Sequence, residues 1–184
     1  MKLRQMNDNG EGGFTLIEVL AAIVILSVVT LGLTAFFTNA MSYSKSNQNK
    51  TIMVNLARNA LFYMEKQDFD QLEKYYVDDQ LSVINMDEVK RCESQGTGCG
   101  YQPFFSGQSA LEAILQPTVN GVDYTIDVTF QQDLYDEMTD PGSDKAGWAV
   151  YLLPVLVKVS LLTDSGGPSN PVVVEGYIAD ESIR

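Results

Sequence analysis

Gly12-Gly13-Phe14-Thr15-Leu16-Ile17-Glu18-Val19-Leu20 opens the long apolar run of this chain, and its reading decides the fold. From Phe14 to Phe37 there are 24 residues, and Glu18 is the one ionisable side chain among them. As a helix rising about 1.5 Å per residue the run is about 36 Å long. That crosses a hydrocarbon core of roughly 30 Å with some tilt. A carboxylate in such a segment costs on the order of 2.5–3.5 kcal/mol near the bilayer centre, so Glu18 asks for a functional reason. It lies four residues after Phe14. A cut before Phe14 would place a new positive amine and a negative carboxylate at the same end of one helix.

Gly13-Phe14-Thr15-Leu16-Ile17-Glu18-Val19-Leu20 resembles the processing site of type IV prepilins and of the related pseudopilins of type II secretion. The resemblance is close over about the first 50 residues and architectural beyond them. It implies a membrane peptidase that cuts after Gly13 and methylates the new N-terminal Phe14. It also implies that an incoming subunit sets its Glu18 against the Phe14 amine of a neighbour already in the filament. The expected partners are therefore other pilins or pseudopilins, the prepilin peptidase/methyltransferase, and the membrane through one N-terminal helix. The leader departs from many of its kind in carrying Glu11 near the cut. The apolar segment departs in having no proline in its second half, where Gly32 is the weak point.

An ordinary secretory signal peptide is the competing reading. Its apolar region spans about 7–15 residues and ends at a small-x-small site. Thr38-Asn39-Ala40 is a poor version of that site, and the run here is too long. Lys2 and Arg4 precede the run, which keeps that end cytoplasmic. An unprocessed single-pass anchor is the third reading.

Beyond Phe37 about 147 of the 184 residues remain, enough for one domain with a core. Twelve basic and 24 acidic residues give a net charge of −12, which argues against direct contact with nucleic acid or anionic lipid. The chain has no histidine, which excludes histidine-based catalysis and histidine-ligated metal. No P-loop, dinucleotide fingerprint or nucleophile elbow is present, so no enzyme and no cofactor is expected. Asp123 and Asp127 share one face of a strand pattern, but nothing marks them beyond ordinary strand polarity. The acidic residues Asp133, Asp136, Glu137, Asp140 and Asp144 surround Pro141-Gly142 and read as a solvated hairpin loop. Their spacing fits no defined calcium loop. Tyr101–Gly107 is an aromatic stretch read as loop packing, or as a contact patch.

Cys92 and Cys99 both follow the membrane stretch. In an exported head they read as a disulfide closing a short loop, worth about 2.5 kcal/mol in the chain-entropy model. Reduced thiols, or a site shared with other chains, are the alternatives.

The pattern predicts five segments: a leader over 1–13, a transmembrane half-helix over 14–37 and an amphipathic half-helix over 38–66. A connecting region with the cysteine loop follows over 67–118, and a sheet region over 119–184. Met53, Leu56, Ala57, Ala60, Leu61 and Met64 repeat at helical spacing and make one stripe. Phe69–Tyr76, Val83–Arg91 and Ala110–Leu115 are short helical candidates. Val122, Tyr124, Ile126, Val128 and Phe130 alternate with polar residues, as a half-buried strand does. Trp148–Leu162 predicts a second strand with Pro154 at an edge or bulge, and Val172–Ala179 a third, its hairpin partner. The fold class is α+β and pilin-like, a long N-terminal helix packed on an antiparallel sheet. The expected function is a minor pilin-like subunit of a type IV pilus or similar filament. The alternatives are a minor pseudopilin of type II secretion, a tip adhesin, and a competence-pilus component. The expected location is the bacterial cytoplasmic membrane with the leader inside, then a cell-surface filament.

Overall fold

The structure is a computed structural model, and it describes the backbone of residues 13–95, 108–162 and 169–183. Contacts divide the chain into two units, Met1–Asn47 and Gln48–Arg184. Helix α1 runs over Leu16–Glu65. In the first unit its side chains are exposed throughout, as an apolar segment meant for lipid or for other helices must be. Within it Ser27, Thr30, Thr34 and Thr38 each donate their hydroxyl to a carbonyl three or four residues back, so they bring no unsatisfied polar group.

In the second unit α1 turns amphipathic. Met53, Ala57, Ala60 and Met64 are buried, and Leu56 and Leu61 pack partly buried beside them. The helical stripe is where the sequence places it. After Asp68, whose carboxylate caps the Gln71 N–H at 3.0 Å, comes α2 (Phe69–Glu73). A π-helical turn over Lys74–Asp78 continues from it. The wider turn lets the adjacent Tyr75 and Tyr76 both point inward, where one face of an ordinary helix would take one of them.

Strand β1 (Val83–Ile84), α3 (Met86–Gln95), α4 (Gln108–Leu115) and β2 (Thr118–Val119) follow. Then come β3 (Val122–Phe130), α5 (Gln132–Thr139), a 3-10 turn (Trp148–Val150), β4 (Leu152–Leu161) and β5 (Ser169–Ala179). The sheet has five strands in the order β1-β3-β4-β5, with β2 also on β3, and every pairing is antiparallel. The α+β class and the pilin-like layout are therefore observed. One sheet face, with Tyr124, Ile126, Val128 and Phe130 beside Val155, Val157 and Val159, is buried in the common core. At Gly176 of that face, Leu61 of α1 comes so close that an added Cβ would lie 2.4 Å from its Cδ2.

Four local expectations change. Val83-Ile84 is a strand because it pairs with Thr129 and Val128, and the helix starts only after Asn85, whose side chain caps the Glu88 N–H at 3.0 Å. The acidic stretch is not all a hairpin loop: Asp133, Asp136 and Glu137 stand on helix α5, and Asp140 and Asp144 follow in the turn after it. On the helix Leu134, Tyr135 and Met138 face inward while the carboxylates face out. Trp148 belongs to a 3-10 turn, and the strand begins at Leu152. Pro154 lies in a central strand, not on an edge strand, and the irregular register falls at Val159/Leu161 instead. Its carbonyl accepts from the Gln131 N–H at 3.0 Å. In a strand both backbone groups of a residue point the same way, so the missing N–H faces the spot where β3 has already given way to α5.

One turn was overlooked. Asn120 and Gly121, with φ of 53° and 73°, make the tight hairpin between β2 and β3. Asn-Gly flanked by Val119 and Val122 is the strongest short-range hairpin signal a sequence offers.

The hydroxyls of Tyr76 and Tyr124 are buried and find no hydrogen-bond partner among the described residues. Each leaves a polar atom desolvated without return. Tyr76→Phe and Tyr124→Phe are therefore expected to leave stability unchanged or raise it by about 1 kcal/mol. Thermal unfolding of the two variants checks this, and a loss above that size would mean a hydrogen bond is being missed.

Tyr135 is 8% exposed. Burial first, then the Glu73 carboxylate to which its hydroxyl donates at 3.2 Å, push its pKa up to about 12. Burial raises Tyr76 in the same direction. Since both folded values lie above the ordinary tyrosine value of about 10, the unfolded chain loses these protons first. Stability is full below pH about 10 and falls as pH rises toward about 12. Melting curves should be level between roughly pH 7 and 9 and shift down above about 10, with Tyr135→Phe removing part of the shift.

Candidate functional site

The stretch singled out by its sequence forms the entry to α1. Gly13, Phe14 and Thr15 precede the helix, and Phe14 is 89% exposed. Among the described residues no atom lies within 4 Å of where a Cβ on Gly13 would sit. The described part of the fold therefore does not require glycine at 13. A requirement for it would come from whatever reads the site.

Thr15 is the last residue before the helix, and Glu18 follows three residues later. The Glu18 Oε2 accepts from the Thr15 backbone N–H at 2.9 Å and from the Thr15 hydroxyl at 3.0 Å. The Glu18 N–H in turn donates to Thr15 Oγ1 at 3.4 Å. This is a capping box, in which a threonine and a glutamate each satisfy an orphan donor of the first turn. Sequence reasoning took Glu18 as an assembly residue and overlooked Thr15, although Thr-x-x-Glu before an apolar run is the signature of that cap. The carboxylate also stands where the helix dipole favours negative charge. One oxygen, Oε2, is thus engaged within the helix, while Oε1 has no partner among the described residues.

Other candidates are dispersed. Asp123 accepts from the Thr118 hydroxyl at 2.5 Å and ties the β2–β3 hairpin. Asp127 faces a cleft of 270 Å³ on the outer side of the sheet, opposite Lys158 of β4. The two aspartates are thereby given separate tasks, and the strand's outer face is half-buried at Thr125, Asp127 and Thr129 rather than wet. Among the described residues no group of three or more acidic or thiol side chains is placed to hold a metal ion. The pairing of Cys92 with Cys99, and the stretch Tyr101–Gly107, lie outside the described residues.

An exposed apolar helix at the N-terminus, long and apolar enough to cross a membrane, together with an α+β head defines a membrane-anchorable, pilin-like protein. Residues 8–34 match the family described as the prokaryotic N-terminal methylation motif. The chain thus carries a prepilin-type N-terminus, which supports the type IV pilin and pseudopilin family, one that is structural and not catalytic. No curated protein and no solved structure matches the chain.

Proposed function

We propose that this chain is a minor pilin-like structural subunit of a type IV pilus or pilus-like filament. In this reading it is cut between Gly13 and Phe14, held by residues 14–37 in the cytoplasmic membrane, and then polymerised through that helix. The observation that carries the reading is one stretch holding three features: the methylation motif, an exposed Gly13-Phe14 pair and a carboxylate at Glu18 with one oxygen free among the described residues. In the filament the apolar helices bundle together and the acidic head meets solvent. An incoming Glu18 meets the Phe14 amine of its neighbour. The chain's size, the lack of a proline before residue 38 and the irregular connection after α1 favour a minor over a major position. A head that works as an adhesin would bind a surface by itself, whereas a structural head binds fellow subunits.

Shearing filaments from cells that express the full chain tests the reading. The mature chain is expected in the sheared fraction when the prepilin peptidase is present, and the uncut chain in the membrane alone when it is absent. Absence of the mature chain from the filaments of cells that contain the peptidase would remove the filament role.

A further inference from the structure

We propose that the cleft on the outer face of the sheet is a binding site for a free α-amino acid with an apolar side chain. The proposal concerns the head alone and stands whether or not the chain polymerises.

The cleft has a volume of 270 Å³. That lies just under the roughly 300 Å³ at which sites for drug-sized ligands begin, so it suits a small metabolite. Its floor is a block of polar residues two strands wide. Thr125 of β3 stands opposite Ser160 of β4, and Asp127 stands opposite Lys158. Thr125, Asp127 and Lys158 are half-buried, and Ser160 is 2% exposed. Residues directly opposite on antiparallel strands have Cβ atoms about 5 Å apart, well within reach of a lysine and an aspartate. Even so, Asp127 and Lys158 form no ion pair among the described residues. The Ser160 hydroxyl has no hydrogen-bond partner among them either. It is not sealed in as the Tyr76 and Tyr124 hydroxyls are, because it lines the cleft. Ser160 also faces the register shift, where one residue of β4 is set against two of β5. Such bulges re-aim side chains, often beside functional sites.

The first turns of α3 supply a wall. Asp87 and Lys90, three apart and so on one face of that helix, line the cleft and form no ion pair among the described residues. The cleft thus gathers two carboxylates and two ammonium groups, with no net charge between them. A simple anion or cation would find partners of one sign and repulsion from the other. A zwitterion satisfies both. Its carboxylate would accept from Lys158, Lys90 and the Ser160 hydroxyl, and its ammonium would donate to Asp127 and Asp87. Half-buried charges are costly until they gain such partners. Met86 and Leu161, both partly buried, line the same cleft and give an apolar side chain a place out of water.

The test uses the full chain in detergent micelles, with thermal unfolding and calorimetric titration against each of the common amino acids. L-Leucine and L-methionine are expected to raise the Tm in a dose-dependent way, as a ligand of the folded state does. Leucinamide lacks the carboxylate and N-acetyl-leucine lacks the ammonium, so each should bind about tenfold more weakly or worse. Lys158→Ala should weaken leucine about tenfold and leave leucinamide unchanged, whereas Asp127→Asn should weaken leucine about tenfold and leave N-acetyl-leucine unchanged. Lys90→Ala, at an exposed position, supplies the first pattern should Lys158→Ala fail to fold. A Tm that no amino acid moves overturns the proposal. So does leucinamide or N-acetyl-leucine binding as tightly as leucine, or an affinity that none of these substitutions changes. Entry of the chain into filaments bears on none of these outcomes.

Discussion

Glu18→Ala is expected to lower incorporation into filaments by at least about a hundredfold while leaving the melting of the head unchanged. The substitution removes two things of different size. The capping box with Thr15 is worth about 1 kcal/mol, which a long apolar helix easily tolerates. In the proposed assembly a desolvated pair with a neighbour's Phe14 amine would be worth more, because breaking a buried pair leaves an uncompensated charge and costs about 3–5 kcal/mol. At about 1.4 kcal/mol per factor of ten, the second loss accounts for the hundredfold effect and the first does not. Glu18→Gln separates the two, since glutamine serves a capping box as glutamate does but carries no charge. Failure of Glu18→Gln alongside Glu18→Ala assigns the role to charge. Wild-type assembly by the glutamine variant would reduce Glu18 to a helix cap.

Gly176→Ala is expected to destabilise the head by about 1–3 kcal/mol, the usual cost of one excess methyl in a packed site. The new Cβ would stand 2.4 Å from Leu61 Cδ2, 3.2 Å from Cδ1 and 3.4 Å from Cγ. All three belong to one side chain, so the clash is relieved if Leu61 swings away. Leu61 is half-buried against the core, and swinging away forfeits its contacts with α1's neighbours. For a domain of this size the fall in Tm is roughly 2–4 °C per kcal/mol. Adding Leu61→Ala should cost less in the Gly176→Ala background than in the wild type, with a coupling of about 0.5–3 kcal/mol. Equal costs in the two backgrounds would place the strain elsewhere. A Tm unchanged by Gly176→Ala would mean the helix is not seated on β5 at this point.

What was legible in the sequence followed the strength of the local pattern. The stripe through Met53, Ala57, Ala60 and Met64 and the alternation through Tyr124–Phe130 each repeat over several periods, and both faces are buried as read. Helix α5 was not legible as a helix because its three carboxylates, with Asp140 and Asp144 just beyond it, drew attention away from Leu134, Tyr135 and Met138, whose spacing is helical. Val83-Ile84 is too short to show any period, and its partner β3 decides that it is a strand. Pro154 looked incompatible with a central strand, since a sequence cannot tell that the neighbouring strand ends at the residue where its N–H would be wanted. The Asn120-Gly121 turn was there to be read. At the N-terminus, Gly13, Phe14 and Glu18 stood out because a carboxylate is rare in a run of such hydropathy. The part played by Thr15 was legible too, as Thr-x-x-Glu before the apolar run, and the helix start at Leu16 bears it out.

The intact mass of the protein extracted from membranes that contain a prepilin peptidase tests the central claim most directly. A species that begins at Phe14 and carries one methyl group on its amine is the predicted result. It would make the Glu18 variants the next experiment. A species that begins at Met1, or at Met41 after cleavage at Ala40, would contradict the account, because then no Phe14 amine exists for a neighbour's Glu18 to meet.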